Sequence, residues 1–138
     1  MKKSLIHGII AGILTAVAGI VYQKVYEEAL FLDFSAAINP GSVAGASVFG
    51  CMLMGIGYGL LEHFKKPNLK GWLNVLIAVL SFMSILGPLS TSLPLDIEFP
   101  EMFPGLAIPM HFFPAMIFFG LNPFFINSTP DEPSKKGM

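Results

Sequence analysis

Residues 54–66 read MGIGYGLLEHFKK, and the interpretation of the central IGYG decides the fold. Potassium channels use such a string as an extended filter, entered from a short pore helix, placed toward the outer face and preceded by Thr. Here Met54 stands where the Thr would be, and Glu62, His63, Lys65 and Lys66 follow Gly59 within two turns. Helical spacing explains the glycines instead. Ser47, Cys51, Gly55 and Gly59 recur every fourth residue, and Gly41 and Gly45 show the same interval upstream. Small residues at that interval let helix backbones approach closely in lipid. The stretch therefore reads as the end of a packed, membrane-spanning helix and not as a pore loop.

The remainder of the chain agrees with that setting. Of its 138 residues, 54% are apolar and 12% charged, about half the charge of an ordinary soluble domain. Four apolar runs, at about residues 5–22, 43–61, 72–89 and 105–126, lack Asp, Glu and Lys. Each has the ~17 to 25 residues needed to cross a bilayer core. The expected fold is all-α, a polytopic four-transmembrane-helix bundle. A second small-residue row, Gly8, Gly12, Ala16 and Gly19, predicts that the first helix crosses the second closely. Cys51, the single cysteine, excludes an internal disulfide and reads as a small packing residue.

Lysines set the orientation, because short Lys-rich loops stay on the cytoplasmic side. Lys2, Lys3, Lys65, Lys66, Lys70, Lys135 and Lys136 fall on one side of a four-span chain, and Lys24 alone on the other. This predicts an N-in/C-in protein of the bacterial cytoplasmic membrane. Glu27, Glu28, Asp33, Asp96, Glu98 and Glu101 fall opposite the lysines. Lys2 and Lys3 ahead of an apolar run ending in Ala16-Val17-Ala18 also resemble a signal peptide with its cleavage site. The run is longer than such peptides use, so the first span is expected to be retained.

The connections have their own composition. Residues 23–32 favour a prolonged first helix, and Asn39-Pro40-Gly41-Ser42 reads as a break and cap before the second. Residues 63–70 form a short polar hairpin. Leu93, Leu95, Ile97 and Phe99 alternate with Pro94, Asp96, Glu98 and Pro100, the period of an extended segment lying across the outer mouth of the bundle. Residues 128–138 read as a disordered cytoplasmic tail. Asn127-Ser128-Thr129 forms a glycosylation sequon that this topology leaves in the cytoplasm. There is no internal repeat.

Polar groups within apolar helices are costly, so each is a functional candidate. His111 lies in the fourth run on one helical face with Ala107, Ala115 and Asn122. Asn74, Ser81 and Ser84 of the third run are its expected partners. An interhelical hydrogen bond is the simplest role for His111; proton uptake tuned by burial and by Glu98 or Glu101 is the sharper one. Pro104, Pro109, Pro114 and Pro123 remove backbone donors and favour kinks in the same helix. His7 and His63, near the same end of the first two spans, would be the ligands of a bis-histidine haem if those helices are neighbours.

Several function classes drop out. All eight basic residues are Lys and the net charge is -1, which leaves no basic face for nucleic acid. No G-x-S-x-G, H-E-x-x-H or P-loop occurs, and no cofactor is implied. The first expectation is a non-enzymatic accessory or oligomer-forming subunit whose partners are the lipid bilayer, further copies or another membrane protein. The second is a small-solute or proton transporter using His111; the third is a haem-binding redox subunit.

Overall fold

The computed structural model describes residues 1–94 and 96–125. Among the described residues the α-helices are α1 (Lys2–Leu30), α2 (Pro40–His63), α3 (Lys70–Ser84), α4 (Leu86–Ser90) and α5 (Phe103–Phe125). Short 3-10 turns at Pro67–Leu69 and Pro100–Met102 lead into α3 and α5. Four segments, Lys2–Leu30, Pro40–His63, Pro67–Ser90 and Pro100–Phe125, are long and apolar enough to cross a membrane. The Ser128 tail and the sequon lie outside the described residues.

Helix ends follow local chemistry. Asn39 caps α2 by accepting from the Ser42 N–H at 2.9 Å, while Ser42 Oγ accepts from the Asn39 N–H, and Pro40 opens the first turn. Residues 23–30 do prolong α1, which ends at Phe31 in the left-handed region, φ 56°. The third segment divides around Ile85, between α3 and α4. Pro88, one turn on, has no N–H to return to the Ser84 carbonyl.

The third connection departs from the extended form expected of it. Ile97 N–H donates to the Pro94 carbonyl at 3.2 Å, closing a turn, and Phe99 takes φ 51°. Burial overrides the two-residue period. Leu93 and Ile97 both pack on a cluster of Phe34, Phe103, Leu106 and Ala107. Phe34, fully buried, is tied down by its own N–H donating to Glu27 Oε1 at 3.2 Å. Nearby, hydrogen bonds from the Ser35 hydroxyl and N–H hold the exposed Asp33 carboxyl below its ordinary range.

The α1–α2 crossing is the closest in the molecule. A Cβ on Gly8 would stand 2.7 Å from the Cys51 carbonyl oxygen; on Gly12, 2.8 Å from Val48 Cα; on Gly55, 2.6 Å from the Ser4 carbonyl oxygen. Backbone therefore lies against backbone, and Gly8, Gly12 and Gly55 are used inside a single chain. Gly59 is looser, with Met1 at 3.5 Å, and Cys51 is fully buried in the same seam. Helix α5 packs on α1 as well, while α3, apart from the short segments adjoining it in sequence, reaches α2 and α5 and buries a single residue, Ile77.

The side chains are distributed in reverse of a water-soluble bundle. The buried positions of α1 are Ser4, His7, Gly8, Ala11, Gly12, Thr15, Ala16, Gly19 and Gln23. Ile6, Ile9, Ile13, Val17, Val21 and Val25 point outward. In α1 the small and polar residues face the bundle and most of the large apolar ones leave it.

Gly55→Ala is expected to destabilise the fold by about 1–3 kcal/mol, because its methyl meets rigid backbone. Gly45→Ala, whose methyl meets nothing within 4 Å, is expected to hold stability or gain up to about 1 kcal/mol. Thermal unfolding of both variants in one detergent separates the two cases, and equal melting temperatures would contradict the crossing.

Candidate functional site

The prolines of α5 fix where it needs help from α1. Pro109 has no N–H for the Gly105 carbonyl one turn back. Tyr22 OH supplies the missing donor at 2.9 Å, and Tyr26 OH donates to the Met102 carbonyl at 2.9 Å. The Tyr22 ring also meets Phe113 edge-on, centroids 5.5 Å apart. At the far end of α5, the buried His7 Nε2 lies 2.9 Å from the Phe118 carbonyl. A carbonyl only accepts, so Nε2 carries the proton. The imidazole is stacked between Phe118 and Phe125, with centroids at 4.0 and 4.7 Å.

Between these two anchorages α5 borders a cavity of about 430 Å³, lined by Thr15 and Gly19 of α1, Ser42, Ala46, Ser47 and Gly50 of α2, Ser84 of α3, and His111 and Pro114 of α5. His111 Nδ1 donates to the Ala107 carbonyl of its own helix at 2.7 Å. In the neutral tautomer that donates from Nδ1, Nε2 is the acceptor of the ring. The lining carries hydroxyls and an imidazole but no Asp, Glu or Lys. Glu98 and Glu101 are exposed and are not among the lining residues.

A second groove of about 320 Å³ runs between α2 and α3, bounded by Leu53, Met54, Leu73, Leu76, Ile77, Leu80 and Ser81. It shares Gly50, Ser84 and Pro114 with the first cavity. Its one further hydroxyl, Ser81 Oγ, is engaged with the Ile77 carbonyl at 2.9 Å.

Polar side chains close the end of the bundle that carries Met1 and Lys70. Tyr58 OH donates to Asn74 Oδ1 and accepts from Asn122 Nδ2 at 3.1 Å, joining α2, α3 and α5. Glu62 gathers the N-terminal ammonium at 3.0 Å, Ser4 Oγ at 2.8 Å and Lys70 Nζ at 3.7 Å. Lys70 also stands 5.8 Å from the Tyr58 ring centroid.

The residues singled out in sequence thus separate into two places. Ser84 shares the cavity with His111; Asn74 and Asn122 do not, being bound to Tyr58. The reason is distance: Asn122 lies on the face of His111 but eleven residues along, about 16 Å at helical rise. Ser81 faces the second groove. His63 is exposed with its ring against Phe64, centroids 5.4 Å apart, whereas His7 is enclosed by aromatic rings of α5. Among the described residues no three His, Cys, Asp or Glu side chains gather as a metal site.

Tyr58 is the residue that sequence reasoning missed. It sits inside the glycine string and was read as packing, yet a phenol in an apolar helix requires a hydrogen-bond partner, and that requirement was its signal. No known protein family, curated protein or solved structure matches the chain.

Tyr22→Phe is expected to cost about 1–3 kcal/mol by stranding the Gly105 carbonyl. In a Pro109→Ala background, where a backbone N–H returns, most of that cost is expected to disappear. A double-mutant cycle on unfolding free energy measures the coupling, and a value of zero would contradict the proline-compensation account. Tyr58→Phe, which leaves two amides without their shared hydroxyl, is expected to cost a similar ~1–3 kcal/mol, and a neutral result would remove the closure.

Proposed function

We propose that the protein is a non-enzymatic integral membrane protein of the transport class, taking a small uncharged solute into the cavity beside His111. The observation that carries this reading is the chemistry of that cavity. An imidazole acceptor and the hydroxyls of Thr15, Ser42, Ser47 and Ser84 line one space within an apolar bundle. Ligand sites are commonly apolar cavities with a few placed polar groups. The absence of charge from the lining favours a neutral, hydrogen-bonding solute over an ion or a relayed proton.

Membrane insertion is supported by the outward face of α1, rich in Ile, Val and Leu, over an interior that is mostly Gly, Ala, Ser and Thr. The lysine distribution supports an N-in/C-in orientation in a bacterial cytoplasmic membrane. In that orientation Ile38 and Ser42 put one end of the cavity toward the outside, and the Tyr58–Asn74–Asn122 cluster lies on the cytoplasmic side of it. Access from one side at a time is what a transport cycle requires.

A second reading, the accessory subunit, now rests on α3 alone. The closest approaches of the glycine rows are filled within the chain, whereas α3 leaves Trp72, Val75, Val79, Phe82 and Met83 uncovered. A partner protein or a second copy seated on that face would protect it. Native mass spectrometry that finds only monomer in mild detergent would set this reading aside.

Substituted cysteines test the primary reading, with Cys51→Ser removing the native thiol. Ala46→Cys on the cavity wall is expected to react with a membrane-impermeant thiol reagent added outside intact cells. Asn68→Cys in the Lys-rich hairpin is expected to react only from inside. Glycerol in excess is expected to slow the Ala46→Cys reaction, and to lose that effect when His111→Ala is added. Silence at Ala46→Cys, reaction at Asn68→Cys from outside, or protection indifferent to His111→Ala would contradict the proposal.

A further inference from the structure

We infer that the molecule taken up is a single-chain amphiphile with an uncharged, oxygen-bearing head, which enters sideways from the bilayer. The inference rests on the reading of the His111 cavity as a binding site and adds the class of ligand. Its basis is the junction of two largely apolar spaces, of which the first adds an imidazole and several hydroxyls to its Ile38, Val43, Met110 and Phe113 walls. The hydroxyl and imidazole cavity and the apolar α2–α3 groove meet at Gly50, Ser84 and Pro114. A head group in the first space therefore has a continuous route for its chain into the second.

The junction is open because of one residue. A Cβ on Gly50 would meet nothing within 4 Å, so this glycine is not required by packing against a neighbouring helix, unlike Gly8, Gly12 and Gly55. Its missing side chain leaves the waist between the two spaces clear. The chain-binding wall is formed by Leu53, Leu73, Leu76, Ile77 and Leu80, and α3, which buries only Ile77, leaves it open along one side. Opening a path from the surrounding medium to the groove therefore disrupts few contacts of α3.

The head is limited by what the cavity lacks. Neither lining contains Asp, Glu or Lys, so a phosphate, carboxylate or ammonium would be desolvated with no counter-charge. A hydroxyl suits it. His111 Nε2 accepts from an alcohol O–H, and the Ser42 and Ser84 hydroxyls, whose hydrogens go to the Asn39 and Ser81 carbonyls, can accept from a second one. A monoacylglycerol has this division: a neutral diol and ester at one end and one flexible chain at the other.

Photolabelling of the full chain in lipid nanodiscs tests the inference. The probes are a monoacylglycerol bearing a mid-chain diazirine and a fatty acid with the same chain, the latter held ionised at alkaline pH. The monoacylglycerol is expected to label Leu53, Leu76 and Leu80 several-fold more than the outward-facing Val75 and Val79, and several-fold more than the fatty acid does. Gly50→Phe, whose ring enters open space and leaves the fold intact by circular dichroism and melting temperature, is expected to reduce groove labelling to the level of Val75 and Val79. His111→Ala is expected to equalise the two probes. Even labelling around α3, equal labelling by both probes in the native chain, or indifference to Gly50→Phe would overturn the inference. An unreactive Ala46→Cys would instead remove the binding-site reading beneath it, so the two failures are distinguishable.

Discussion

The rest of the molecule depends on the backbone contact between α1 and α2. Gly8, Gly12 and Gly55 bring main-chain atoms within distances that no side chain would tolerate, and this draws α2 onto α1 along the end that carries Met1. Helix α5 takes another side of α1, anchored by His7 at one end and by Tyr22 and Tyr26 at the other. With α2 and α5 both committed to α1, α3 has no place on the central helix. It bridges the other two, held near its start by Asn74 and Leu73, and its later residues border open space. The cavity at His111 and the groove beside it thus follow from the helix pairing.

Several polar side chains of the interior are paired across elements, although Gln23 Oε1 and Asn122 Oδ1 are buried without a partner. Gln23 donates to Glu27 Oε1 and to the Ile38 carbonyl, both at 3.1 Å, tying the α1–α2 connection to α1. Thr15 Oγ1 and Cys51 Sγ meet at 3.6 Å in the α1–α2 seam. Tyr22 answers a carbonyl released by Pro109. In a hydrocarbon setting each such pairing matters, because no water stands ready to replace a lost partner. His111 is different: one ring nitrogen is bonded to its own helix and the other is left as an acceptor on a cavity wall.

Much of the architecture was legible because it has a one-dimensional signature. The four apolar runs, the Asn39–Ser42 cap and the four-residue spacing of Gly55 and Gly8 with their neighbours are all local patterns. The third connection was misread because its alternation is equally compatible with a turn once Leu93 and Ile97 have a common cluster to cover. The site was legible only in part. His111 stands out as an ionisable group in an apolar helix, but spacing gives a face and not a depth, so it offers Asn74 to His111, whereas Asn74 and Asn122 both bond Tyr58. Tyr58 was hidden by the glycines around it. Neither the cavity nor the gap beside α3 has any sequence signature, since both are places where helices fail to meet.

The most direct measurement concerns the α1–α2 seam itself. Thr15 and Cys51 lie with Oγ1 and Sγ 3.6 Å apart, so Thr15→Cys presents two thiols in reach of each other within one chain. Mild oxidation of that variant is expected to give a near-quantitative intramolecular disulfide, seen by mass as the loss of two hydrogens without a dimer band. Two free thiols after oxidation, or a disulfide only between chains, would contradict the helix pairing and the cavity that depends on it.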